Sequence, residues 1–502
     1  MGGKTDRRIS IGQRISMGFR EPTITEEVRQ VIRDWKVGNI VFFSENVASL
    51  EQFSALCAEL KDLIKAETGL PPLLMLDEEG GLASRLGGIF GDTPWPMAVG
   101  ETDREENARS MGRVLGERLR MAGANMNLAP VLDCLVERES PVMACRPFSD
   151  DPKKVARLGR AWIEGAHEAG ILTCGKHFPG HGRTRMDSHA ALPVIDCSLE
   201  EMMETDLLPF REAIAAGTDA LMSAHIVFPA LEPEGLPATV SARILQGLVR
   251  EKLGFDGLMI SDGMEMQAML DRFPIPEGVL RAMKAGIDIA LICHEPKQAA
   301  EACRLAEQAA EAGELTEANL SEHEARIRRY KQKLADSGMN ISPAERQLRI
   351  AAGAAKAQRV MLEAIRVVNR PEGKPFPGFG PDTLLYGGMS DQVCMAAEEN
   401  LLNAAEYCGE KIGSSRILRH GETPEGPVET AILFLHRGEG LEETRTLASR
   451  LAAAGAKVTA VALDHPYVLE GLGENIWQLC AWQNQTLAID IVLHFLRGEQ
   501  DA

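Results

Sequence analysis

Between Arg14 and Cys293 one unit recurs eight times: a short, nearly continuous apolar run, then a longer amphipathic stretch. The runs are "RISMGF", "GNIVFF", "PLLMLDEE", "NMNLAPVLD", "ILTCGKHF", "ALMSAHIVF", "GLMISDGMEM" and "IDIALICHE". Runs this short and this apolar suit strands buried on both faces, as in a parallel sheet, better than one-sided antiparallel strands. The stretches between them, such as "SLEQFSALCAELKDLIKAE" and "REENARSMGRVLGERLRMAG", have helical periodicity, and Gly123 is placed to stop the second. Eight strands alternating with helices predict an α/β chain built on a (β/α)8, TIM-like barrel. The alternative is an open doubly wound sheet, but no Gly-x-Gly-x-x-Gly follows the first run, so its usual dinucleotide signature is missing.

The polar residues favour the barrel. Asp77, Lys176, His177, His225, Asp262 and His294 all fall at the C-terminal ends of their runs. In a barrel those ends share one rim, where active sites lie. From about Pro296 to Gln358 the chain is charged and helical and reads as a connector whose charges face solvent. After the Pro- and Gly-rich "RPEGKPFPGFGPD" a second alternation begins, with strand-like "TLLYGG", "TAILFLH", "KVTAVALD" and "IWQLCAW". It predicts a smaller α/β domain of about four strands without a catalytic motif. The expected organisation is a barrel over 1–335, a helical linker over 336–360 and a C-terminal α/β domain over 361–502.

Charge and cysteine usage narrow the function classes. A net charge of −19 over 502 residues repels phosphates and argues against nucleic acid and anionic membranes as partners. No apolar run reaches membrane-spanning length, and no apolar leader follows the first residues. The N-terminal Met-Gly lacks the Ser or Thr of a myristoylation signal. Ten cysteines are scattered without a Cys-x-x-Cys pair, which suits reduced thiols in the cytoplasm.

The most chemically loaded stretch is "GKHFPGHGRTRMDSHAALP", residues 175–193. His177 and His181 are four apart, but Pro179 and Gly180 lie between them and disfavour a helix that would present both to a metal. No Cys or carboxylate completes such a site, so neither metal nor cofactor is expected. A structured loop whose histidines satisfy backbone groups is a second reading. The third rests on Asp187 and His189, two apart, which an extended loop can fold together. A carboxylate on one ring nitrogen sets the tautomer and leaves the other free for proton transfer. Asp262, at the end of "GLMISD", is the candidate nucleophile, although a helix N-cap or a metal ligand would also explain an Asp there. A carboxylate facing a proton-donating histidine suits double displacement at a sugar anomeric centre.

These motifs in this order resemble glycoside hydrolase family 3, in particular its bacterial β-N-acetylglucosaminidases of cell-wall recycling. The resemblance rests on "KHFPGHG" followed by "DSH", on "SAHIVFP", "GFDGLMISDGMEM", "DEEGGLASRL" and "NMNLAPVLD", and runs over roughly residues 10 to 335. The C-terminal part is similar, more weakly, to the α/β sandwich domain that some members append. The resemblance implies Asp262 as nucleophile and His189, supported by Asp187, as general acid/base on a mobile loop. It implies Asp77, Arg85, Arg146, Lys176 and His177 as sugar-binding residues, and a second domain that shapes or shields the site without transferring protons. Leu82 stands where many relatives carry a basic residue, Gly263 where many carry a second acid, and "VERESPVMAC" before Arg146 departs from the usual wording.

The function so implied is a retaining exo-β-N-acetylglucosaminidase acting on a small carbohydrate, GlcNAc-terminated muropeptides or related β-glycosides. Phosphorolysis through the same intermediate, a broader β-glucosidase and a non-catalytic sugar-binding barrel are the alternatives. The intact Asp187, His189 and Asp262 argue against the last.

Overall fold

A computed structural model describes residues 7–498 except 139, 141, 186–191, 335–340, 372–373, 388–401 and 439. The first eight strands are β1 (Ile15–Met17), β2 (Asn39–Phe42), β3 (Leu73–Leu76), β4 (Met126–Asn127), β5 (Leu172–Phe178), β6 (Ala220–Ser223), β7 (Leu258–Gly263) and β8 (Ile289–Ile292). Each pairs in parallel with its neighbours in chain order, and β8 returns to β1, closing the barrel. All eight apolar runs supply strands.

The runs are continuous in apolar residues because both strand faces are dry. Val41, Leu73 and Met75 point into the barrel and pack with Met126, Leu258 and Ile289, whereas Ile40, Phe42, Leu74 and Leu76 pack outward against the helices. Burying each large aliphatic or aromatic side chain contributes about 1.5–3 kcal/mol, so both faces of the strands favour apolar residues, and charges enter only towards their C-terminal ends. The helices begin and end on local signals. The Ser49 hydroxyl accepts from the Gln52 N–H at the start of Leu50–Thr68, and the helix Glu105–Ala122 stops at Gly123, whose φ of 98° suits glycine.

The stretch from Pro296, read from its charges as a solvated connector, belongs to the barrel as far as Lys333. Helices Pro296–Glu311 and Glu317–Lys333 are followed by a third, Pro343–Ala364. Ile327, Tyr330 and Leu334 join the cluster that fills the barrel interior. Lys331, fully buried, donates to Gln13 Oε1 (2.6 Å) and to the Gly38 carbonyl (2.7 Å). His323 Nδ1 and Arg326 Nη1 both meet Asp288 Oδ1, at 2.6 and 2.7 Å. Several of these charges are internal partners, a distinction composition does not carry.

The second sheet has six strands: β9 (Arg366–Asn369), β10 (Leu384–Gly387), β11 (Ile417–Leu418), β12 (Thr430–Leu435), β13 (Lys457–Ala462) and β14 (Trp477–Cys480). Their order is β9-β14-β13-β12-β10-β11, parallel except that β9 runs against β14. The four expected strands form its centre. The two additions are edges: β9 is largely exposed and β11 has two half-buried residues, so neither carries the apolar run that marks a buried strand.

The two parts share an apolar seam. Ala83, Trp95, Met97, Leu135, Val142 and Met143 of the barrel's rim loops lie in one cluster with the core of the second sheet. Polar contacts flank it. The Trp95 N–H donates to Gln483 Oε1 (2.9 Å), and Asp92 Oδ2 accepts from Thr486 Oγ1 (2.7 Å) and the Leu487 N–H (3.2 Å). Asp92 thereby sits at the N-terminus of helix Thr486–Leu496, where a carboxylate is favoured. Among the described residues no helix is long and apolar enough to cross a membrane.

Candidate active site

The C-terminal ends of the barrel strands open into a cavity of about 430 Å³. Asp77 follows β3 directly, and a short hairpin, Glu78–Gly80 with Ala83–Ser84, turns the chain across the rim. Lys176, inside β5, donates to Asp77 Oδ1 and to Glu79 Oε1, both at 2.6 Å. Glu79 in turn receives a two-pronged fork from Arg146, Nε to Oε2 and Nη2 to Oε1, each at 2.8 Å. Arg85 Nη2 lies 3.6 Å from the other oxygen of Asp77. The result is a chain of alternating charge, Arg85–Asp77–Lys176–Glu79–Arg146, along one wall.

Pairing decides how these groups ionise. Burial alone would raise the Glu79 carboxyl, but Arg146 and Lys176 override it and hold it well below the usual carboxylate range. Burial would lower Lys176, yet Asp77 and Glu79 raise it above its ordinary value. The wall is therefore charged and ordered before any ligand arrives, so that binding there needs little reorganisation.

His177 extends the series. Its Nδ1–H donates to Asp133 Oδ2 (2.7 Å), which orients the ring so that Nε2 lies 3.4 Å from Arg146 Nη2. Asp133 also accepts from the backbone N–H groups of His177 (3.1 Å) and His181 (2.6 Å). Burial would raise Asp133, but His177 and these hydrogen bonds bring it below its ordinary value. His181 is itself buried, with Nδ1 2.8 Å from Thr184 Oγ1. Burial first, then His177, lowers its pKa to about 4. The Nδ1 atoms of both histidines thus face protein oxygens. Among the described residues no group of three metal-ligating side chains assembles.

Asp262 stands at the end of β7 and lines the same cavity. Its Oδ1 accepts from the Gly263 N–H (2.8 Å). The helix that follows, Gln267–Leu270, has Met266 at its cap position, so Asp262 is not an N-cap. Two groups fix the backbone here: Ser261 Oγ accepts from the Leu291 N–H (3.0 Å), and His225 Nε2 lies 2.9 Å from the Gly263 carbonyl.

His225 corrects one sequence expectation. It follows the end of β6 but does not line the cavity: it is buried, with Nδ1 2.8 Å from Thr239 Oγ1 and Nε2 on Gly263. Its ring works below the site, holding the residue next to Asp262. His294 does reach the cavity, paired with Glu265, which the sequence did not single out. Glu265 accepts from the Cys293 and His294 N–H groups (3.0 and 3.1 Å) and lies 3.3 Å from the His294 ring. Those contacts outweigh burial and lower its carboxyl. The His294 ring leans on Phe43, centroids 4.5 Å apart, and Arg85 lies over Phe43 (5.6 Å).

The structure thus brings Asp77, Arg85, Arg146, Lys176, His177 and Asp262 to one cavity. Asp187 and His189 lie outside the described residues. Three buried or half-buried carboxylates were missed, each with a faint signal: Glu79 in the triple acid "DEE", Asp133 at the end of "NMNLAPVLD", and Glu265 three residues past Asp262.

The profile described as "Glycosyl hydrolase family 3 N terminal domain" matches residues 8–330. A relative named beta-hexosaminidase from Thiobacillus denitrificans is 38% identical over 284 residues, 55% of this chain and 77% of that protein. Among solved structures, a glycoside hydrolase family 3 beta-N-acetylglucosaminidase from Paenibacillus sp. str. FPU-7 superposes with a TM-score of 0.85 at 28% identity. The match covers 98% of this chain and 96% of the other. A beta-glucoside phosphorylase shares the fold, with a TM-score of 0.80 at 20% identity over 99% of this chain and 92% of its own.

Proposed function

The chain belongs to glycoside hydrolase family 3, and from that premise we propose that it is a retaining exo-β-N-acetylglucosaminidase, acting in the cytoplasm on GlcNAc-terminated muropeptides or related β-glycosides. The observation that carries the reading is the shared cavity: a strand-end carboxylate, Asp262, opens onto the same space as the Asp77–Lys176–Glu79–Arg146 wall. A cavity of about 430 Å³ suits a single pyranose with part of its leaving group.

In the proposed reaction Asp77, Arg85, Arg146, Lys176 and His177 hold the sugar hydroxyls. A carboxylate oxygen of Asp262 attacks the anomeric carbon while His189, oriented by Asp187, gives its proton to the departing glycosidic oxygen. In the second half His189 takes a proton from water, whose oxygen displaces Asp262 and restores both groups. The relatives named beta-hexosaminidase and beta-N-acetylglucosaminidase support GlcNAc as the sugar. The nine described cysteines are all unpaired, consistent with a reducing compartment.

Charge favours water over phosphate as acceptor. Among the described lining residues five carboxylates (Glu45, Asp77, Glu79, Asp262, Glu265) face three cations (Arg85, Arg146, Lys176), and the cations are paired with the acids. A phosphate dianion entering this field is repelled.

The test is a panel of aryl β-glycosides differing at the sugar 2-position, run with and without phosphate. The GlcNAc glycoside should turn over fastest and yield free GlcNAc in both buffers; sugar phosphate as product would replace hydrolysis by phosphorolysis. His189→Ala should lower kcat/KM on the order of 10²- to 10⁴-fold and Asp262→Ala at least as much. Full activity in either variant ends the assignment of that residue.

A further inference from the structure

The turn that carries Arg146 is gripped from the second domain. The Arg146 N–H donates to the Met143 carbonyl (2.9 Å), and the Ala144 N–H reaches the Ser140 carbonyl (3.4 Å). Val142, Met143 and Cys145 are buried in the apolar seam. Onto this turn comes a charged donor from across the seam: Arg437 Nη1 donates to the Ser140 carbonyl at 2.7 Å. Arg437 follows β12 and is itself oriented by Asp464, which follows β13. Asp464 Oδ2 accepts from the Arg437 N–H (2.8 Å) and lies 3.5 Å from its Nε. Contacts therefore run from Asp464 through Arg437 and the Ser140 carbonyl to the turn, and from its last residue to Glu79.

We propose that Arg437 is a positioning residue for substrate binding, holding the turn that carries Arg146 so that Arg146 keeps its two-pronged grip on Glu79 and its place in the cavity. The proposal rests on the assignment of Arg146 to the sugar made above. Its physical basis is the demand of the two parallel bonds. Both Arg146–Glu79 contacts are at 2.8 Å, and Arg146 Nη2 is 3.4 Å from His177 Nε2, so a small shift of the turn breaks one prong and turns the guanidinium away. Without Arg437 the Ser140 carbonyl loses a charged donor beside an apolar seam, and the turn moves to find another. The fold itself keeps its other ties, the apolar cluster and the Asp92 and Gln483 contacts.

The experiment is steady-state kinetics of the full chain on whichever aryl β-glycoside the wild type turns over fastest, so the sugar's identity is decided separately. Arg437→Ala should raise KM roughly tenfold, the size of one lost charged hydrogen bond, with kcat changed less than about threefold. Arg437→Lys, which can still donate to the Ser140 carbonyl, should recover most of the loss. In an Arg146→Lys background the same Ala change should have little further effect on KM, because the grip it protects is already gone. An unchanged KM in a folded Arg437→Ala protein overturns the proposal, as does an equal rise in both backgrounds. If the Ala variant does not fold, Asp464→Asn is read against the same criteria: an intermediate rise in KM, absent in the Arg146→Lys background, supports the proposal, and no rise overturns it. An Arg146→Lys enzyme with wild-type KM removes the assignment of Arg146 and the proposal with it; a raised KM there beside an unaffected Arg437→Ala removes the proposal alone.

Discussion

Lys176 shows how a single residue acquires its state from its neighbours. Surrounded by apolar residues alone it would lose its proton more easily; between Asp77 and Glu79 it holds it more tightly. His181, buried beside His177, goes the other way. Its pKa falls from an ordinary 6.5 to about 4, first through burial and then through His177. The sign is set by the unfolded chain, which takes up the proton first as pH falls. Stability from this group is whole above about pH 6.5, declines between 6.5 and 4, and is level below that. The span corresponds to roughly 3 kcal/mol. Denaturant unfolding of His181→Gln between pH 7 and 4 should show a shallower loss than wild type; His323 and His465, also lowered by burial, leave a remainder in both. Equal slopes would contradict the assignment. At this scale the legible residues were charges that end apolar runs, Asp77, Lys176 and Asp262, because a charge has little reason to terminate a buried strand unless it faces a cavity. Glu79 and Glu265 were not legible: they follow a residue already assigned, and their partners lie in remote parts of the chain. His225 looked like its fellows, and only its contacts with Thr239 and Gly263 separate it from them.

Among the elements, the barrel strands and the central strands of the second sheet were readable because burial on both faces leaves a continuous apolar run, and Gly123 marked a helix end. The edges β9 and β11 were not, since an edge strand needs no apolar run. Nor was the role of the helices after Pro296, whose internal and solvent-facing charges look alike in composition. The loop after β5 is an element whose glycines have a steric reason. A Cβ on Gly182 would come within 1.6 Å of the Cys134 carbonyl oxygen, and the Gly182 carbonyl accepts from the Glu137 N–H (2.8 Å). The chain at Gly182 lies against Cys134 and Glu137 only because position 182 has no side chain. Gly182→Ala must therefore lift it. We expect kcat/KM on the preferred aryl glycoside to drop by roughly 10- to 100-fold, the effect of displacing catalytic groups by about an ångström, with a cooperative melt retained. Activity within twofold of wild type would show that the close approach does not position the loop.

For the whole molecule the seam decides behaviour. Rim loops that carry Arg85 and Arg146 share an apolar cluster with the second sheet, so unfolding that sheet would strip Trp95, Val142 and Met143 of their cover. Calorimetry should show one cooperative transition, with calorimetric and van't Hoff enthalpies equal, and Gln483→Ala should lower its midpoint without splitting it. Two separated transitions would mean that the seam does not couple the parts. Read alone, the order of residues settles the barrel, the central strands of the second sheet and the rim positions where chemistry can occur. These follow from periodicity, from the cost of burying charge and from turn-forming residues, all local in sequence. Which charges pair, which histidine lines the cavity and which supports backbone, and how a residue at 437 reaches one at 146 are set by contacts between segments up to several hundred residues apart. No local pattern encodes those distances; they exist once the barrel has closed and the second sheet has packed against its rim.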